Sequence, residues 1–146
     1  MSVSSGDFLE DKKLTYAGGA PRSNGTGQVI FYSKDLGKNL FDHRGTLQGE
    51  QFASSFGYSM TTLDCDGDGH ADLVVGAPFF YSKTEGGAVY VYLNRALRSG
   101  KFGEHLRLTG KPESRFGFAL ANASDLNKVF LFGFLLKMMT LIFYIF

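Results

Sequence analysis

Residues 56–78 read FGYSMTTLDCDGDGHADLVVGAP, and the centre of that stretch, Asp64-Cys65-Asp66-Gly67-Asp68-Gly69-His70-Ala71-Asp72, sets carboxylates at its first, third, fifth and ninth positions. Alternate acidic side chains on a curled loop present the hard oxygen donors that Ca2+ takes, about six to eight of them in a forgiving geometry. With the main-chain carbonyl of His70 as a further donor, the expected metal ligands are Asp64, Asp66, Asp68, His70 and Asp72. Gly69 is expected to permit the sharp turn. Carboxylates this crowded repel one another unless a cation lies between them. Mg2+ fits less well, because it demands near-octahedral geometry and keeps several waters.

The opening D-x-D-x-D-G also begins the calcium loop of an EF-hand, but that loop needs flanking helices and a bidentate Glu at its twelfth position, where this chain has Val75. The flanks here are strand-like. Phe56 to Leu63 forms one strand candidate and Ala71 to Val75 a short apolar one, ended by Gly76 and Pro78. Ala88 to Leu93 alternates Val and Tyr, and Leu106 to Leu108 completes a set of four.

The landmarks recur. Gly19-Ala20-Pro21 returns as Gly76-Ala77-Pro78, fifty-seven residues on, and Gly27-Gln28-Val29-Ile30-Phe31-Tyr32 returns as Gly87-Ala88-Val89-Tyr90-Val91-Tyr92, sixty residues on. Phe56-Gly57 returns as Phe116-Gly117, and Leu47-x-Gly49 as Leu108-x-Gly110. A fixed period of this length signals an array of like units. The register gives an incomplete repeat over 1–50, a complete one over 51–111, and the start of a third over 112–127. In the first repeat Asp7, Leu9, Asp11 and Thr15 stand where Asp64, Asp66, Asp68 and Asp72 stand in the second. Two of the four carboxylates are lost, so one calcium site per chain is expected.

Four short strands per repeat, rich in Gly, Phe and Tyr, point to an all-β chain of four-stranded antiparallel propeller blades, about two of them, with large faces open if isolated. Fifteen basic and fourteen acidic residues in no stripe argue against nucleic acid as a partner. The single Cys65 rules out an internal disulfide. The polar segment from Met1 to Glu10 has no apolar stretch, so it is not expected to act as a secretory signal. His43, His70 and His105 are scattered, and no nucleophile motif accompanies them, so no enzyme activity is expected.

The set Phe56-Gly57, Asp64-x-Asp66-x-Asp68-Gly69-x-x-Asp72 and Gly76-Ala77-Pro78, with Gly49-Glu50-Gln51 before it, resembles the FG-GAP repeat of integrin α-subunits over residues 1 to about 127. The resemblance implies a calcium-stabilised fragment of an adhesion-receptor α chain, similar to the third and fourth blades and the start of the fifth. It implies an integrin β subunit as partner, matrix or cell-surface ligands, and a place on the extracellular side of the plasma membrane. The metal would then be structural. The alternative is the FG-GAP region of a secreted enzyme like glycosylphosphatidylinositol-specific phospholipase D, which a histidine-rich zinc domain upstream would favour. Asn24-Gly25-Thr26 is an N-glycosylation sequon in an expected turn, while Asn122-Ala123-Ser124 is expected to be buried in a strand. Phe79, Phe80 and Tyr81 are read as packing between blades.

After Asn127 the pattern stops, and 128–146 reads KVFLFGFLLKMMTLIFYIF. This run approaches the length of a membrane span, with Lys137 in its middle. Because it begins inside what should be a metal loop, it is read as non-native sequence, from read-through at a splice junction or a mistaken gene model. Its direct insertion into a membrane is not expected.

Overall fold

The computed structural model describes residues 2–9, 14–35 and 40–122. The 128–146 run lies outside them. Among these residues eight strands form two antiparallel sheets of four: β1 (Val3–Gly6), β2 (Thr15–Ala20), β3 (Gln28–Asp35) and β4 (Leu40–Gln48) in one, and β5 (Ser59–Leu63), β6 (Asp72–Tyr81), β7 (Gly86–Tyr92) and β8 (Leu106–Gly110) in the other. Each sheet follows chain order, so every connection within a sheet joins neighbouring strands. Among the described residues a short α-helix, α1 (Asn94–Arg98), lies between β7 and β8, and a 3-10 turn, Ser23–Gly25, between β2 and β3. No helix among the described residues is long and apolar enough to cross a membrane.

The all-β expectation holds, and the strand boundaries move. β6 does not stop at Gly76: its ladder with β7 runs through Gly76↔Val89 and Ala77↔Ala88, then resumes at Tyr81↔Gly86 after an irregularity. Pro78 falls inside that irregularity, where a residue without an N–H costs no ladder bond. The first repeat supplies a whole four-stranded sheet, with β1 in the place of β5.

Period-two alternation explains how the sheets meet. Along β2, residues alternate between buried and half-buried. Ala17, Val29, Phe31 and Leu47 from the first sheet are buried against Phe56, Val75, Ala88, Tyr90 and Tyr92. In this seam Phe56 lies edge-on to Tyr90 at 5.1 Å, Phe8 is tilted on Phe31 at 5.9 Å, and Phe102 stacks on Phe31 at 6.0 Å. β7 is buried along its whole length. Its other face joins Val89 and Val91 to Leu63, Val74 and Phe116. A strand covered on both faces reads as a continuous apolar run, as Ala88 to Tyr92 does.

The repeated Gly-Ala-Pro and Phe-Gly pairs have a shared physical cause. A Cβ added at Gly19 would lie 2.2 Å from the carbonyl oxygen of Gly57, and one added at Gly76 would lie 2.1 Å from that of Gly117. At each junction a serine beside that glycine donates to the same oxygen: Ser2 Oγ to Gly57 O at 2.9 Å, and Ser59 Oγ to Gly117 O at 2.7 Å. Each repeat's Phe-Gly turn thus docks onto the preceding repeat's Gly-Ala-Pro glycine. Glu50 adds a polar tie between the repeats, accepting from Arg107 Nη1 at 2.6 Å and lying 3.0 Å from His105 Nε2. Burial would raise the Glu50 pKa, but the bond from Arg107 and the neighbouring positive charges together carry it below the usual range.

Of the Phe79-Phe80-Tyr81 cluster, only Phe80 is buried, with Arg107 over its ring at 5.0 Å. Phe79 and Tyr81 are exposed. Asn122 is exposed and in no strand, which corrects the buried-strand expectation; its amide donates to the Thr62 carbonyl at 2.8 Å.

Candidate metal centre

β5 and β6 pair directly, Leu63 opposite Asp72, and the acidic segment forms the loop that joins them. Strands on both sides of the loop are incompatible with an EF-hand. Asp64 winds the loop: its carboxylate accepts from the main-chain N–H groups of Gly67 at 2.7 Å, Asp68 at 3.2 Å and Gly69 at 3.0 Å. Aspartate side chains favour such local turns. Gly67 and Gly69 take φ values of +81° and +85°, the left-handed region that side chains avoid.

Asp72 is the anchor. It is fully buried, and it accepts from Cys65 N at 2.6 Å and from Asn94 N and Nδ2 at 2.8 and 3.0 Å. Burial raises its pKa, and the charge of Asp66 adds to this, against the hydrogen bonds that favour the ionised form. Oxygen atoms of Asp64, Asp66 and Asp72 all lie within 4.8 Å of one another. The donor set is entirely oxygen and carries three negative charges, one of them buried, which suits a hard divalent cation. Burial and the adjacent carboxylates push the Cys65 thiol's pKa up, and sulfur is a soft donor unlike the oxygens that a hard cation takes.

The five expected ligands are not equivalent. Asp64, Asp66 and Asp72 converge, whereas the Asp68 carboxylate is held by Asn94 Nδ2, at 3.1 and 3.0 Å, and by the His70 N–H at 2.9 Å. Burial would raise the Asp68 pKa, but these bonds bring it below the usual range. The His70 ring reaches the first repeat, with Nδ1 2.8 Å from Asp7 Oδ2. Arg95 Nη1 sits 3.5 Å from Asp66 Oδ2.

Asn94 is the functional residue that sequence reading missed. It opens a helix of five residues, too short to show periodicity, and its amide bridges Asp68 and Asp72 across more than twenty residues of chain. Only the Leu93-Asn94 step after an alternating Val-Tyr strand could have flagged it, as a polar residue where a strand ends.

Known proteins carry the same pattern. The FG-GAP repeat family matches residues 56–92. Integrin alpha-7 of Rattus norvegicus is 42% identical over 131 residues, covering 88% of this chain and 11% of that protein. Integrin alpha-6 of Homo sapiens is 37% identical over 131 residues, again 88% of this chain and 12% of the relative, and integrin alpha-5 of Xenopus laevis is 40% identical over 136 residues, covering 87% and 12%. The chain therefore spans about a ninth of the length of the curated relatives it matches. These relatives are integrin α chains and do not favour the phospholipase D alternative. At this identity and coverage the chain belongs to the integrin α-subunit family, in its FG-GAP repeat region.

Proposed function

We propose that this region is a calcium-stabilised part of the propeller of an adhesion-receptor α chain, comparable to its third and fourth blades. In the whole receptor it pairs with an integrin β subunit on the extracellular side of the plasma membrane and takes part in binding matrix or cell-surface ligands. The observation that carries the reading is the convergence of Asp64, Asp66 and buried Asp72 on a strand-flanked loop. Ca2+ there would be held by those three carboxylates, with Asp68 and the His70 carbonyl as the further donors proposed. The ion supplies charge neutralisation and loop rigidity, and no bond is made or broken. The first repeat carries no site of its own, since Leu9 and Thr15 replace two carboxylates.

Calorimetric titration of the full chain with CaCl2 is expected to show one equivalent bound, and Asp64→Asn to abolish the heat. Binding that survives Asp64→Asn unchanged would place the ion elsewhere.

We propose that Asn24 carries an N-linked glycan. It is exposed on a one-turn 3-10 segment, Ser23–Gly25, with φ of 51°, and Thr26 Oγ1 of the same sequon accepts from Gln48 Nε2. Expression through a secretory pathway should give a band that endoglycosidase sharpens to lower mass, and Asn24→Gln should remove that shift. An unchanged shift in the variant rejects Asn24 as the acceptor.

A further inference from the structure

Asp7 holds in the first repeat the position that Asp64 holds in the second. Its carboxylate, however, is spent on the neighbouring repeat. Oδ1 accepts from the Ala71 N–H at 3.2 Å, Oδ2 lies 2.8 Å from His70 Nδ1, and Arg98 Nη2 donates both to Oδ2 at 3.2 Å and to the Asp7 carbonyl at 3.0 Å. The backbone on either side leaves little freedom. A Cβ at Gly6 would stand 2.9 Å from the Ala71 Cβ, and Phe8 is fully buried in the seam between the sheets.

These contacts fall on the exit arm of the metal loop and on the helix beside it. Ala71 immediately precedes Asp72, the buried anchor. Arg98 ends α1, and Asn94 at the start of the same helix holds Asp68 and Asp72. A carboxylate from one repeat therefore fixes the exit of the loop and the helix that brackets it in the next.

We propose that Asp7 is a positioning residue for the cation loop of the second repeat, so that calcium affinity there is set in part by the first repeat, which has lost two of the four carboxylates at the equivalent positions. The inference rests on the calcium reading of Asp64, Asp66 and Asp72. Groups that orient ligands from outside the coordination sphere commonly govern metal affinity. Coupling of this kind is reciprocal, so calcium in turn tightens the junction between the repeats.

The test is CaCl2 calorimetry on the full chain together with thermal unfolding in calcium and in chelator. Asp7→Ala is expected to weaken calcium binding about tenfold at unchanged stoichiometry, and to shrink the rise in unfolding midpoint that calcium produces. Asp7→Asn keeps an acceptor for the Ala71 N–H and loses the charge, so its affinity should fall between the two. A merely structural Asp7 would lower the midpoint equally with and without calcium. Affinity within about twofold of wild type in Asp7→Ala, or in Asp7→Asn should the alanine variant fail to fold, overturns the proposal. Absence of any calcium heat in the wild-type chain, by contrast, defeats the calcium reading itself and this inference with it.

Discussion

Asp72→Ala is expected to destabilise the chain by about 4 kcal/mol even when no calcium is present. The carboxylate is fully buried and serves two main-chain donors, Cys65 N and Asn94 N. Alanine leaves both N–H groups in a space from which water is excluded, and each orphaned buried donor costs about 1–3 kcal/mol. That is a large share of a total stability of about 5–15 kcal/mol. Asp64→Ala makes the informative contrast. The N–H groups that Asp64 serves, on Gly67, Asp68 and Gly69, lie in an exposed loop, where water can replace the carboxylate. Its loss should cost little in chelator and most of the calcium-dependent stabilisation. Urea unfolding of both variants, with and without calcium, separates the two roles. An Asp72→Ala loss below about 1 kcal/mol in chelator would mean that water enters the pocket and that Asp72 is a ligand only, not an anchor.

This division of labour among the aspartates shows where sequence reading stops. The spacing of Asp64, Asp66, Asp68 and Asp72 identifies the loop because local geometry curls it, and local geometry is written in adjacent residues. It does not reveal that Asp68 is drawn off by Asn94, since that bond spans twenty-six residues and depends on where α1 settles. Asp7 is harder still. Alignment of the repeats marks it as a surviving carboxylate of a lost site, yet its partner lies sixty-three residues away across the seam between sheets. The strand β7 is legible through its Val-Tyr alternation, and the repetition of like sheets through the recurring landmarks. The extension of β6 past Gly76 was not, because Gly and Pro usually end a strand. There Gly76 is required for the approach of the next repeat, and Pro78 for nothing that the ladder lacks.

That requirement for glycine yields the second large effect. Gly19→Ala is expected to cost about 3 kcal/mol, at the upper end of what overpacking costs, while Gly18→Ala next to it should be neutral or slightly stabilising. The added Cβ at Gly19 meets Gly57 O at 2.2 Å and Ser2 Oγ at 2.5 Å, and the first of these is main chain. Gly57 cannot retreat easily: its φ is +83°, its N–H donates to Gly76 O at 3.1 Å, and Phe56 beside it is fully buried against Tyr90. Relief must therefore come from moving the Phe-Gly turn off its seat, which opens the seam between the sheets. At Gly18 the nearest atom to an added Cβ is Ile30 O at 4.0 Å, an ordinary contact, and alanine there also restricts the unfolded chain. Denaturant unfolding of the two variants measures the contrast. Equal losses at Gly18 and Gly19 would show that glycine is tolerated at this place for strand flexibility, and that the docking of one repeat's Phe-Gly turn on its neighbour's Gly-Ala-Pro glycine does not hold the array together.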